Sequence, residues 1–123
     1  MKIEVERGLL EEMLRFSSER HPNEAILILR GKTEKDRIEV NDYLFPPFAS
    51  TDGGSARFPV HMLPIDFTII GTMHSHPSGA LSLSTVDMHN VYGRIMLLAA
   101  YPYRLEDVAA FNKNGERIPL EVI

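Results

Sequence analysis

The sequence has 123 residues, 44% hydrophobic and 24% charged, which suits one globular domain with one core rather than a disordered chain. A net charge of −4 with no cluster of Lys or Arg lacks the basic stripe expected of a nucleic-acid binder. The absence of cysteine excludes disulfides, thiol catalysis and Cys-ligated zinc, so any metal must be held by the five His and the 17 acidic residues.

Met1 to Leu10 contains no signal-like apolar region, and no apolar run approaches the ~18 residues of a membrane span. A cytoplasmic protein with no membrane partner is expected. Lys2 to Glu6 reads as a short extended start. Leu9, Leu10, Met13, Leu14 and Phe16 then recur at helical spacing up to Arg20, and His21-Pro22 closes that helix. Ala25 to Leu29 is continuously apolar and reads as a strand buried on both faces, ending at Arg30-Gly31. Arg37 to Leu44 is a second strand, stopped by Pro46-Pro47, and Ser50 to Ser55 a flexible turn or loop. Phe58 to Met62 suits a short edge strand because Pro59 cannot occupy a central one.

Phe67 to His76 is the next strand, with Thr68, Ile70, Thr72, His74 and His76 on one face by the period of two. After a loop with Pro77 and Gly79, Met88, Val91, Tyr92 and Ile95 mark a helix beginning near Ser84. Ile95 to Ala100, Asp107 to Phe111 and Arg117 to Val122 read as short strands, the last two joined by an Asn114-Gly115 turn. The mixture predicts one α/β domain around a mixed sheet.

The chemistry concentrates in His74-Ser75-His76 and the segment after it. Two His at i and i+2 of a strand point the same way, with backbones about 6.5–7 Å apart, so both imidazoles can converge on one zinc ion. Ten residues separate His76 from Asp87, enough chain to fold that carboxylate back onto the metal. Three protein ligands would leave one tetrahedral position for water, the mark of a catalytic rather than a structural zinc. Glu24, at the mouth of the buried strand, is the candidate general base. The residues alone also allow simpler accounts. A His-x-His pair can be hydrogen-bonded rather than metal-binding, Ser84-x-x-Asp87 fits a helix capping box, and Glu24 can be a surface residue. His21, His61 and His89 are read as non-ligands.

Taken together, Glu24, His74-Ser75-His76-Pro77, then Ser84-x-x-Asp87 with seven residues between His76 and Ser84, resemble the motif of the JAMM (MPN+) metalloproteases. His21-Pro22-Asn23-Glu24-Ala25, Leu29-Arg30-Gly31, Met62-Leu63-Pro64 and Ile70-Gly71-Thr72-Met73 extend the likeness over nearly the whole chain, most of all to stand-alone archaeal JAMM proteins. The resemblance implies a single JAB1/MPN domain over residues 1–123, a cytidine-deaminase-like α/β fold with a mixed β-sheet flanked by helices. It further implies one Zn2+ per chain, held by His74, His76 and Asp87, with Glu24 as general base and later acid and Ser84 steadying the oxyanion. The implied reaction is zinc-dependent isopeptide or peptide cleavage after the C-terminal tail of ubiquitin-like modifier proteins, such as archaeal small modifier proteins. The loop from Ala49 to Pro59 corresponds to a substrate-gripping insertion in minimal form, and Arg57 to His61 is expected to add an edge to the substrate tail.

Three rival readings share parts of the pattern. A processing peptidase for a sulfur-carrier protein would use the same site. A RadC-like DNA-repair protein shares His-x-His-Pro-Ser-Gly, but the acidic charge and the Glu24 context count against it. A non-catalytic MPN scaffold usually lacks one or more ligands, and this chain retains every one.

Overall fold

The computed structural model describes residues 1–46, 50–52, 55–57, 66–84, 87 and 92–123. In chain order these form β1 (Lys2–Val5), α1 (Arg7–Arg20), β2 (Ile26–Thr33), β3 (Arg37–Leu44), β4 (Ser50–Asp52), β5 (Ser55–Arg57), β6 (Ile69–His76) and β7 (Ile95–Ala100). A 3-10 turn (Leu105–Asp107), β8 (Val108–Asn112), β9 (Arg117–Ile118) and β10 (Leu120–Val122) follow. The expected edge strand at Phe58 to Met62, the helical positions Met88 and Val91, and His61 and His89 lie outside the described residues.

Eight strands build one mixed sheet in the order β10-β1-β3-β2-β6-β7-β8-β9. β6 lies antiparallel to β2 and parallel to β7, so the His-x-His strand has a neighbour on each side. Residues aligned across the ladder fall on alternate faces. Leu27, Met73, Leu97 and Ala110 share the face that packs on Leu10, Met13 and Leu14 of α1. Ile26, His74, Leu98 and Ala109 share the opposite face, where Leu81 and Leu83 pack on Leu98, Ala109 and Phe111. β7 has no residue more than 1% exposed, as its unbroken apolar sequence requires.

Several boundaries differ from the sequence reading, each for a local reason. β2 does not stop at Arg30-Gly31 but runs to Thr33 through a change of register. Gly31 permits this, because a Cβ there would lie 1.8 Å from the Glu39 carbonyl oxygen. Ile70 is the extra residue where β6 slips against β2, and it joins the α1-side core instead of the His74 face. Ser50 to Ser55 contributes two short strands rather than loop alone, β4 and β5 pairing antiparallel with Ser50 opposite Arg57 and Asp52 opposite Ser55. Tyr92 is not helical, and Ile95 opens β7 rather than ending a helix.

Arg117 to Val122 is not one strand. Pro119, which has no N–H to offer a ladder, divides it. β9 pairs with β8 at one edge of the sheet, and β10 pairs with β1 at the other. This six-residue segment therefore joins both edges. A cavity of about 460 Å³ along this seam is lined by Leu105, Val108, Ile118 and Leu120, and by none of the candidate site residues.

Candidate metal site

The β2–β6 register places Ile26 opposite His74, so that Ala25 stands beside Ser75 and Glu24 comes next, level with His76. Glu24 therefore meets the His pair because two distant strands pair antiparallel. Its Oε1 lies 4.0 Å from His74 Nδ1. His74 is 4% exposed, and neither of its ring nitrogens has a hydrogen-bond partner among the described residues. An unpaired buried polar atom costs about 1–3 kcal/mol. Two on one imidazole mark a group built to bind something else.

The chain beyond His76 turns back sharply. The amides of Gly79 and Tyr101 both donate to the His76 carbonyl oxygen, at 3.0 and 3.1 Å. Gly79 has φ +86°, a conformation that disfavours any side chain. The turn presents the Ala80 carbonyl to His76 Nδ1, which donates to it at 3.0 Å. That bond leaves Nε2 to face Asp87 Oδ2, also at 3.0 Å. Leu81 and Leu83 carry the chain over the apolar face beside Leu98, which brings Ser84 and then Asp87 to the site.

Ser84 and Asp87 exchange two hydrogen bonds. The Ser84 amide donates to Asp87 Oδ2 at 2.8 Å, and the Asp87 amide donates to Ser84 Oγ at 3.1 Å. This is the reciprocal capping pattern, and Asp87 itself is helical. The Ser84 hydroxyl accepts in that bond, so its own proton is not consumed by it.

The electrostatics follow from these contacts. Burial works against the Asp87 charge, but the His76 hydrogen bond and both Ser84 bonds outweigh it and lower its pKa to about 2. Burial likewise disfavours a charged His76, yet the hydrogen bond and charge of Asp87, with the Ala80 carbonyl and Glu24, raise its pKa. His76 Nε2 and Asp87 Oδ2 thus need a cation between them, either a proton or a metal ion. In this geometry the two residues clasp each other directly. Among the described residues, no three His, Asp or Glu side chains form a closed metal-binding group. The structure unites His76 with Asp87 and sets Glu24 beside His74, but does not draw all four onto one point.

Two supports were not foreseen from the sequence. The Ala80 carbonyl orients His76, a role for which the Gly79-Ala80 turn was the only available signal. Ser75, fully buried, accepts a 2.7 Å hydrogen bond from the Ala25 amide, and nothing in the sequence connects these residues 50 positions apart. Beyond the end of α1, His21 Nδ1 lies 2.8 Å from the Tyr103 hydroxyl, and its ring stacks on Tyr101 at 4.6 Å. His21 is thus engaged in a polar and aromatic cluster.

Comparison with known proteins agrees with this architecture. The family model described as a halobacterial JAB/MPN domain protein matches residues 2–123. A probable metalloprotease from Haloferax volcanii is 35% identical over 121 residues, covering 93% of this chain and 75% of the relative. A JAB1/MPN domain protein from Archaeoglobus fulgidus superposes with a TM-score of 0.71 at 32% identity, over 100% of this chain and 99% of that one. A structure described as JAMM, a metalloprotease-like zinc site in the proteasome and signalosome, gives a TM-score of 0.70 at 26% identity with the same coverage. A match that spans all but the first residue, with the mixed sheet and the complete Glu, His-x-His and Ser-x-x-Asp set, shows that the chain belongs to the JAB/MPN family and to its JAMM-motif branch.

Proposed function

We propose that this chain is a zinc-dependent peptidase of the JAMM type that cleaves isopeptide or peptide bonds after the C-terminal tail of a ubiquitin-like modifier protein. The observation that carries the metal reading is the buried His74 ring, whose two nitrogens have no hydrogen-bond partner among the described residues, beside a His76–Asp87 pair that calls for a cation. Two imidazoles and a carboxylate are a donor set suited to zinc, and the residues fit it. The metalloprotease description of the Haloferax relative and the zinc site of the JAMM structure support the same reading.

In this reading His74, His76 and Asp87 hold the ion. When bound, it supplies Lewis acidity that polarises the scissile carbonyl and makes water acidic enough to lose a proton near neutral pH. Glu24 takes that proton on its carboxylate as the water oxygen bonds to the scissile carbonyl carbon, and delivers it to the leaving amine as the C–N bond breaks. Ser84 donates its hydroxyl proton to the oxygen on which negative charge develops. Ala80 fixes the His76 ring through its carbonyl, so that Nε2 remains turned to the site.

The test incubates zinc-loaded protein with a panel of ubiquitin-like proteins, as linear fusions, lysine isopeptide conjugates and sulfur-carrier fusions, with Glu24→Gln as the blank. Cleavage after the modifier tail by the wild type alone supports the proposal. Cleavage confined to sulfur-carrier fusions would reassign the substrate, and zinc binding without cleavage of any member would reject this substrate class.

A further inference from the structure

We infer that Ser75, the residue between the two His of the motif, is the positioning residue for Glu24. This inference rests on the reading of Glu24 as the base. β2 and β6 pair antiparallel up to Ile26 opposite His74, and the next pair is Ala25 with Ser75. In a regular ladder such a pair exchanges two main-chain hydrogen bonds. Here only one follows that pattern, from the Ser75 amide to the Ala25 carbonyl at 3.0 Å. The other donor, the Ala25 N–H, turns to the Ser75 hydroxyl oxygen at 2.7 Å. The side chain has taken the place of the main-chain carbonyl.

That substitution falls on one particular peptide group. The Ala25 N–H belongs to the plane that joins Glu24 to Ala25, so Ser75 fixes the backbone from which the Glu24 carboxylate extends. β2 begins at Ile26, so Glu24 stands just outside the strand and directly before the tethered Ala25 amide. Ser75 and Ala25 are both fully buried, so water does not compete for the bond. The same strand presents His74 to the opposite face, with its Nδ1 4.0 Å from Glu24. One dipeptide, His74-Ser75, therefore sets a candidate ligand on one face of the sheet and anchors the base segment from the other. A buried serine that merely satisfied its own hydroxyl would have no reason to take its proton donor from this peptide and replace a ladder bond.

The test compares Ser75→Ala with Ser75→Thr, which keeps the hydroxyl, in the full chain. Two readouts need no catalysis: zinc stoichiometry, and hydrogen exchange of the Ala25 amide by NMR. The expected result for Ser75→Ala is wild-type zinc content, faster Ala25 exchange, and kcat on a cleaved conjugate reduced on the order of 10- to 100-fold with KM unchanged. Ser75→Thr should restore both exchange and kcat. Unchanged Ala25 exchange in Ser75→Ala would overturn the inference, as would loss of zinc, since the residue would then serve the ligands. If Ser75→Ala fails to fold, Ser75→Cys, a weak acceptor of similar size, must show the same faster exchange. Should the wild type cleave nothing, the substrate proposal fails, while the exchange comparison still decides whether Ser75 holds the Glu24–Ala25 peptide.

Discussion

Replacing Ser84 with glycine separates two tasks that the sequence assigns to one hydroxyl. Of the two bonds exchanged with Asp87, one uses the Ser84 main-chain amide and survives any substitution except proline. Only the 3.1 Å bond from the Asp87 amide to Oγ is lost. Alanine at a cap costs about 1 kcal/mol, but glycine only a few tenths, because it restores solvent access to the uncapped amides. At a melting shift of roughly 3–6 °C per kcal/mol for a chain of this size, Ser84→Gly should melt within about 2 °C of the wild type. Loss of an oxyanion donor costs ~2.7–4 kcal/mol of transition-state stabilisation, or about 10²- to 10³-fold in kcat. Thermal melts paired with steady-state cleavage assays measure both quantities on the same protein. If Ser84→Gly kept kcat within about threefold of the wild type, the oxyanion role would be wrong and Ser84 would be a helix cap alone.

Glu24→Gln should bind zinc normally and show no cleavage, whereas His74→Ala and Asp87→Ala should lose zinc as well, as measured by metal analysis after dialysis. Full activity in Glu24→Gln would remove Glu24 as the base. In metal-free protein the His76–Asp87 pair makes stability depend on pH in two directions. Asp87, lowered to about 2, contributes stability above its unfolded value near 3.8 and loses it as pH falls toward 2. His76, raised above 6.5, contributes fully below 6.5 and loses it as pH rises through its folded value. Melting temperature of the zinc-free protein should therefore be highest at about pH 4–6.5, and Asp87→Asn should flatten that profile. Gly31→Ala should destabilise by roughly 1–3 kcal/mol or more in urea titration, because its Cβ would meet main chain of β3 that has no rotamer to yield. A wild-type midpoint would show that the β2–β3 bulge relaxes freely.

Much of this site could be read before its geometry, and the reason is periodicity. His74 and His76 lie on one strand, so the period of two fixes their common direction without knowledge of any partner. Ser84-x-x-Asp87 is equally local, and the capping exchange appears as its spacing requires. What could not be read depends on which strands become neighbours. The Ser75–Ala25 bond spans 50 positions and exists only because β2 lies beside β6. The His21–Tyr103 contact spans 82 positions and needs the end of α1 to meet the segment after β7. In the fold, β2 runs past Arg30-Gly31 because the glycine there leaves space for the Glu39 carbonyl instead of breaking the strand, which depends on the neighbouring β3. The final segment is two strands because Pro119 has no N–H to offer a ladder.

The division at Pro119 bears on how this protein resists association. An open sheet has two edges, each a row of unpaired amides and carbonyls that invites a strand from another molecule. Here β9 covers the outer side of β8 and β10 covers the outer side of β1, and one residue separates these two guards. Fraying of residues 117–122 would therefore uncover both templating surfaces in a single opening event. For this segment, local melting and exposure to edge-to-edge aggregation are the same transition.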